Sequence, residues 1–253
     1  MKLYDLTQKI GVSTPPWPTY EPLELKYFKR LSTEGVNGQI IRTSNHIGTH
    51  LDGERHFWTA GRDMASIPLD ELVGEGVIVD LSDVVGDYDI YTPEMIEERV
   101  DVKEGDILII NTGYHKYGWD QPEADEVRYF MKHPGPNMEF AEWALEKNLN
   151  WLGVDCGSQD HPMNTVIRDL RPDLAKEAEE KLGKPLDEVF YHDDTYQLMH
   201  TKLFPHGIIH AENLGGEIDE VLNTRCKIGF FPWKGVDLES SIGRCVAFVD
   251  EEE

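Results

Sequence analysis

Three continuous apolar runs in the middle of the chain most restrict what it can fold into. They are Val77–Asp83, Asp106–His115 and Trp151–Ser158, and each has the character of a buried strand. Two helix patterns lie between them: TPEMIEERV opens on a threonine cap followed by proline, and Pro136–Asn150 has helical spacing of its apolar residues. This alternation is typical of an α/β fold with parallel strand pairs.

Strand patterns at both ends of the chain make the predicted sheet mixed. KLYDLT, Leu23–Arg30 and Gly38–Ser44 precede the central runs, and KIGFFPW and GRCVAFVD follow them. PLDELVGEG predicts a short helix that ends at glycine. We therefore expect an α/β fold with a mixed β-sheet core flanked by helices.

We expect one domain over 1–253, because a chain of this length can bury a sizeable core. Two polar stretches, near 115–135 and 160–196, have the character of insertions over that core. Neither is of low enough complexity to be a disordered linker.

The chain carries a strong excess of negative charge. It has 48 aspartates and glutamates against 24 lysines and arginines, which gives a formal net charge of −24. This charge repels phosphate backbones and anionic lipids, so nucleic acid and membrane surfaces are disfavoured as partners. Divalent cations are attracted.

The cysteines and the N-terminal segment indicate the compartment. Cys156, Cys226 and Cys245 are far apart, odd in number and form no CxxC pair, so we expect reduced thiols. Polar residues interrupt the apolar runs of MKLYDLTQKIGV, which is unlike a secretion signal. No apolar stretch approaches the roughly 18 residues of a membrane span. These features predict a soluble cytoplasmic protein.

A histidine-rich stretch, SNHIGTHLDGERHFW at 44–58, contains three of the ten histidines. Zinc and manganese bind imidazole nitrogen and carboxylate oxygen. A single histidine would favour a cap or core residue, whereas three with an aspartate indicate a metal site. The HEXXH motif is absent, so a zincin protease is not indicated. The residues concerned are His46, His50, Asp52 and His56, with Gly48 and Gly53 permitting the chain to curl.

A second segment, MHTKLFPHGIIHAENLGG at 199–216, offers further ligands. Glu212 ends an apolar run, where burial of its charge requires a partner such as a metal. His200 lies twelve residues earlier. For His206 and His210 a solvated loop histidine is the favoured interpretation.

HIGTHLDGERHF resembles the H-x-G-T-H-x-D-x-P-x-H signature of the metal-dependent cyclase family, which includes bacterial kynurenine formamidase (arylformamidase) and isatin hydrolase. YDLTQKI…TPPWP, WLGVDCGSQD and the segment from His200 to Glu212 are also similar to that family. The resemblance runs through nearly the whole chain outside the two suspected insertions. It implies the family's swivelling β/β/α architecture and a homodimer or homotetramer.

The resemblance also implies roles for individual residues. His56 would be the catalytic histidine rather than a primary ligand, and Asp52 could bridge two ions. The cofactor would be a divalent metal, Zn²⁺ or Mn²⁺, with one or two ions per subunit. The implied ligands are His46, His50 and Asp52 at one position, with His200 and Glu212 completing the second.

The substrate pocket is expected to be aromatic. Trp17, Phe57, Trp58 and Phe204 could stack against a planar ring, although Phe57 and Trp58 could equally lie in the core. Asp155 could either orient the ligand imidazoles or serve only as a structural carboxylate at a strand end.

Glu54 stands where the family signature has proline. It could contact a basic substrate, but an ion pair at the surface, with Arg55 or another cation, is favoured. This departure affects the expected substrate more than the metal chemistry.

The leading hypothesis is a metal-dependent hydrolase that cleaves a carbon–nitrogen bond of an aryl or cyclic amide, with His56 as general acid and base. An ester or lactone hydrolase would use the same machinery. A non-catalytic metal-binding or small-molecule-binding relative is the third hypothesis, and the presence of His56 argues against it.

Overall fold

A computed structural model of the chain describes residues 1–190 and 196–250. The strands are β1 (Lys2–Asp5), β2 (Glu24–Lys29), β3 (Gly38–Arg42), β4 (His50–Asp52), β5 (Val73–Asp80), β6 (Ile107–Asn111), β7 (Trp151–Val154), β8 (Ile209–Glu212), β9 (Thr224–Pro232) and β10 (Ser240–Val249). The α-helices are α1 (Leu31–Glu34), α2 (Leu69–Leu72), α3 (Pro93–Glu97), α4 (Glu126–Met131), α5 (Met138–Glu146), α6 (Ile167–Leu170), α7 (Pro172–Leu182), α8 (Leu186–Val189) and α9 (Leu198–Leu203).

A mixed sheet closes into a barrel at the centre of the fold. Its strand order is β10-β4-β8-β7-β6-β5-β9, and β9 pairs back with β10, which also pairs with β1. Strands β5 to β8 are parallel neighbours, whereas the other pairs in this sheet are antiparallel. The predicted mixed α/β fold and the parallel pairing of the central runs are confirmed.

The central strands are buried on both faces. In β6, Ile107 and Ile109 join the core inside the barrel, whereas Leu108 and Ile110 join a second core with helices α3, α5 and α9. Parallel strands covered on both sides need apolar residues at successive positions. This two-sided burial explains why the runs are continuous in the sequence.

The predicted helix over PLDELVGEG does not end at glycine. Helix α2 ends at Leu72 and β5 begins at Val73, so the glycines belong to the strand. A Cβ atom on Gly76 would lie 2.4 Å from the carbonyl oxygen of Ile107. Glycine is needed there because β6 approaches closely.

All three central runs end as strands earlier than expected, and the first, Val77–Asp83, is a strand only to Asp80. Asp106–His115 is a strand only to Asn111, since Gly113 has a φ of 75° and a 3-10 turn follows. Trp151–Ser158 is a strand only to Val154, and the residues after it lead into the site described below.

The two helices predicted between the central strands are present, and each begins with a side-chain cap. Thr92 accepts a hydrogen bond from the Met95 amide at the start of α3. Pro136–Asn150 is shortened to α5, because Asn137 caps its start by accepting from the Phe140 amide and Asn148 has a φ of 49°.

The second polar stretch packs α6, α7 and α8 around a small apolar core that also includes Tyr88. Residues 191–195 of that stretch lie outside the described residues. The single domain over 1–253 and the two insertions stay predictions. Within 1–190 and 196–250, no helix is both long and apolar enough to span a membrane.

Strands β2 and β3 form a separate antiparallel hairpin, which we call the arm (Glu24–Arg42). Its apolar side chains are largely exposed, including Phe28 at 56%, Ile40 at 53% and Ile41 at 58%. A two-stranded hairpin in water is marginally stable on its own.

Candidate metal centre

The antiparallel pairing of β4 with β8 brings the site together. The register places His50 opposite Glu212 and Asp52 opposite His210. Leu51 and Ala211 point into the barrel core, so alternation along the strands places those four side chains on the outer face. Helix α9 covers this face and contributes His200.

Three imidazole–carboxylate contacts converge on Asp52. Its Oδ1 lies 2.9 Å from His46 Nδ1 and 3.3 Å from His50 Nε2. Its Oδ2 lies 3.4 Å from His200 Nε2. Glu212 closes the site, with Oε2 3.7 Å from His50 Nε2 and Oε1 3.7 Å from His200 Nε2. The five side chains that the sequence predicted as ligands therefore meet at one place.

The atoms that face each other at the centre lack well-aligned hydrogen bonds to the described residues. His50 Nδ1 donates to the carbonyl oxygen of Gly48 at 2.8 Å, so a neutral His50 carries its lone pair on Nε2. Both His50 Nε2 and Asp52 Oδ1 are buried, and neither makes a well-aligned hydrogen bond within the described residues, although Asp52 Oδ1 lies 2.9 Å from His46 Nδ1. Two acceptors facing each other in a buried site are compensated by a cation, and this nitrogen and oxygen donor set suits zinc or manganese.

Three overlapping sets of side chains could hold an ion within residues 1–190 and 196–250. In each set, one ligand atom per residue lies within 4.8 Å of the others. The sets are His46, Asp52 and His56; His50, Asp52 and Glu212; and His200, His210 and Glu212.

The site attracts positive charge. Burial acts to raise the pKa of Asp52, but the imidazoles of His46 and His50 outweigh it and hold that pKa well below its usual range. Burial and the charge of Asp52 raise the pKa of Glu212. Burial opposes protonation of His46 and His200, yet the carboxylates beside them raise the pKa of each to about 10. The same carboxylates would attract a divalent ion.

His56 stands at the rim, on the 3-10 turn that follows β4. Its Nδ1 lies 2.9 Å from Glu239 Oε2, and its ring stacks on His46 with centroids 4.2 Å apart. Burial lowers the pKa of His56, whereas His46 and His56 overcome the effect of burial on Glu239 and lower the pKa of its carboxyl. A neutral His56 that donates from Nδ1 to this carboxylate keeps a lone pair on Nε2.

Two carboxylates that contact the predicted ligand histidines were missed from the sequence. Glu239 contacts both His46 Nε2, at 3.0 Å, and His56. Asp160 Oδ2 lies 2.5 Å from His200 Nδ1, and its Oδ1 accepts from the Met199 amide. Asp160 ends the GSQD segment that carried part of the family resemblance, whereas Glu239 has no motif around it.

Asp155 does not orient the ligand imidazoles. Its carboxylate accepts hydrogen bonds from the amide and hydroxyl of Thr112, and it lies 3.0 Å from His115 Nδ1. Asp155 is therefore a structural carboxylate at the end of a strand. The carboxylate that contacts a predicted ligand imidazole is Asp160 instead.

The aromatic side chains predicted to bind substrate are placed differently. Trp17 lines the cavity over the metal centre together with Tyr20 and Gln197. Phe57 does not line this cavity; it is 36% exposed, with its ring 4.8 Å from that of His200. Phe204 is fully buried beneath His200, so it supports the site and does not face the cavity.

Trp58 is 37% exposed and does not line that cavity, so neither it nor Phe57 belongs to the core. A wider opening of about 510 Å³ lies in front of His46 and His56, at the base of the arm. Thr19, Tyr20, Glu21, Thr43, Ser44, Asn45 and Glu239 line the rest of it.

Glu54 is buried, with 3% exposed, which contradicts the expected surface position. Its carboxylate accepts from the Arg62 amide at 2.9 Å and from Arg62 Nε at 2.7 Å. Its partner is therefore a cation other than Arg55. Both members of the pair belong to the loop over 54–62. Glu54 thereby holds the loop that carries His56 and Phe57.

His206 is exposed, as favoured, whereas His210 is fully buried beside His200. The solvated interpretation of His210 is wrong, because β8 runs through the sheet and not along a loop.

Comparison with known proteins agrees with this geometry. The family model described as "Putative cyclase" matches residues 4–161. Kynurenine formamidase from Erythrobacter litoralis is 27% identical over 192 residues, covering 74% of this chain and 81% of that protein. Cyclase-like protein 1 from Arabidopsis thaliana is 35% identical over 169 residues, 61% of each chain.

A solved structure of isatin hydrolase A from Labrenzia aggregata superposes with a TM-score of 0.78, covering 99% of this chain and 94% of that one at 19% identity. At this identity, the likeness shows the fold.

The unpaired acceptors predict that Zn²⁺ or Mn²⁺ stabilises chelator-treated protein against heat. An ion at a hundred times its Kd adds about 2.7 kcal/mol, which corresponds to roughly 5–10 °C in Tm for a chain of this size. The variant His50→Ala lacks a central donor and should lose most of this shift, whereas His206→Ala should keep it. Differential scanning calorimetry with and without metal measures both. An equal shift in wild type and His50→Ala would contradict the assignment.

Proposed function

This chain belongs to the cyclase family, and we propose that it is a metal-dependent hydrolase that cleaves the carbon–nitrogen bond of an aryl amide or a cyclic amide. The observation that carries the proposal is the pair of unpaired acceptors, His50 Nε2 and Asp52 Oδ1, 3.3 Å apart beside His56. The likeness to kynurenine formamidase and isatin hydrolase supports this class of substrate.

We propose Zn²⁺ or Mn²⁺, with two ions per subunit. His46, His50 and Asp52 would hold one ion, and His200 and Glu212 the other, with Asp52 shared. A divalent cation supplies Lewis acidity, which polarises a carbonyl group and makes water more acidic. Asp160 and Glu239 orient ligand imidazoles from behind, as carboxylates commonly do in metal sites.

His56 moves the proton. Glu239 holds its Nδ1–H, so Nε2 accepts a proton from the attacking water and returns it to the leaving nitrogen. An amine leaves only when protonated, whereas the leaving oxygen of an ester or lactone has less need of a proton. The positioned His56 therefore favours an amide over an ester substrate.

Trp17 lines the cavity and would stack against a planar substrate ring, and the partly exposed Phe57 beside His200 could contact a substrate that extends past the cavity. The narrow cavity over the ligands opens into the wider space near Tyr20 and Asn45. A reacting carbonyl would reach the metal centre while the rest of the substrate stays in that opening.

The arm supports assembly as a homodimer. Leu25 and Tyr27 on β2 share one face of the hairpin with Ile41 on β3, and all three are more than a third exposed. A second copy packed on this face would bury it, and exposed apolar patches of this kind mark interaction sites.

A cytoplasmic location is also proposed, supported by the free, buried thiols of Cys156, Cys226 and Cys245.

The variant His56→Ala should retain its metal but lose turnover about 10²–10⁴-fold, because it removes the proton carrier and leaves the ligands intact. Elemental analysis and hydrolysis of N-formylkynurenine, isatin, cyclic imides and aryl lactones measure the two properties. His206→Ala, an exposed histidine outside the site, is the matched control.

Loss of metal together with activity in His56→Ala would make His56 a ligand instead. Metal-loaded wild-type protein that hydrolyses only the lactones would replace the amide proposal with the ester alternative.

The arm predicts a change in assembly. Leu25→Glu combined with Ile41→Glu places two charges on its apolar face and should convert a dimer to monomers, as measured by light scattering. Lys26→Glu, on the opposite face, should leave the dimer intact. Monomeric wild-type protein, or a dimer that persists after the double substitution, would contradict the proposed dimer interface.

A further inference from the structure

His210 is a metal-binding type of side chain that the proposed function leaves unused. It lies on β8 two residues before Glu212, so both side chains point to the outer face of the sheet. Across the β4–β8 ladder it stands opposite Asp52. Three corners of this cross-strand square, His50, Asp52 and Glu212, are proposed ligands, and His210 is the fourth.

Among the described residues, the ring nitrogens of His210 have no hydrogen-bond partner. The side chain is fully buried, and neither Nδ1 nor Nε2 has a hydrogen bond to any of the residues that the structure describes. Its ring contacts are Phe204, with centroids 4.7 Å apart, and His200, with centroids 5.0 Å apart. Burying an imidazole with both nitrogens unpaired is unfavourable, and packing alone would be served better by an apolar residue.

One ring nitrogen of His210 nevertheless has suitable neighbours. Ligand atoms of His200, His210 and Glu212 lie within 4.8 Å of one another. Two donors at 2.0–2.2 Å from one zinc ion are at most about 4.4 Å apart, so a small side-chain adjustment brings all three within reach of one ion. Asp52 Oδ2, 3.4 Å from His200 Nε2, supplies a fourth donor.

We propose that His210 is a ligand of the second ion and completes a four-donor set with His200, Glu212 and Asp52. This inference rests on the proposed metal-dependent function and deepens it. Four protein ligands close a zinc site, which is the arrangement of structural ions, whereas catalytic ions keep a position open. The second ion would then organise Asp52 and Glu212, and the ion at His46 and His50 would retain the open position for substrate.

The test measures metal binding and not turnover. Chelator-treated wild-type protein, His210→Leu and the exposed control His206→Leu are titrated with Zn²⁺ by calorimetry, and bound zinc is counted after gel filtration. Wild type and His206→Leu should bind two ions per chain. His210→Leu should keep one and bind the second more than about 100-fold more weakly, since even loss of a residue behind a ligand costs 10–100-fold.

His210→Gln retains size and polarity at the same position and should show the same loss of the second ion. This variant tests the inference even if the leucine variant does not fold. The visible absorption of Co²⁺-loaded protein gives a second readout, because loss of an imidazole changes the ligand field of that ion alone. Unchanged stoichiometry and affinity in His210→Leu or His210→Gln would overturn the inference while leaving the proposed function intact. Wild-type protein that binds no ion would overturn both.

Discussion

Two carboxylates, Asp52 and Glu212, are buried side by side on the outer face of β4 and β8, and most of the site follows from compensating their charge. Like charges this close are unfavourable unless positive charge lies between or around them. His46, His50 and His200 surround them at 2.9–3.7 Å. The antiparallel register of these two strands is therefore the constraint on which the centre depends, because a slip of one residue would turn Asp52 into the barrel.

The parts around this centre hold its groups in orientation. Asp160 fixes His200 on α9, and Glu239 joins His46 to His56. The ion pair of buried Glu54 with half-buried Arg62 holds the loop that carries His56. These residues come from four separate regions of the chain. The outer face of the barrel at β4 and β8 brings them together, and the arm stands beside the opening.

Local pattern was enough to predict the α/β class, because the second half of β5 and all of β6 and β7 consist almost entirely of buried residues. The clustered His46, His50 and Asp52 were visible for a similar reason, since β4 carries two of them in a short stretch. Contacts between distant segments were not visible: Glu239 is 193 residues from His46, and no spacing links them. The burial of Glu54 and His210 was also misjudged, because each depends on what other segments place over it.

Anomalous diffraction from crystals grown with Zn²⁺ tests most directly whether the buried carboxylates are compensated by metal. We expect an anomalous peak within about 2.0–2.2 Å of His50 Nε2 and of an Asp52 oxygen. The contrary result is a crystal in which those two atoms are joined by a water molecule or a direct hydrogen bond and no anomalous scatterer lies on the β4–β8 face. In that case protonated histidines alone would compensate Asp52 and Glu212, and the site would not be a metal centre.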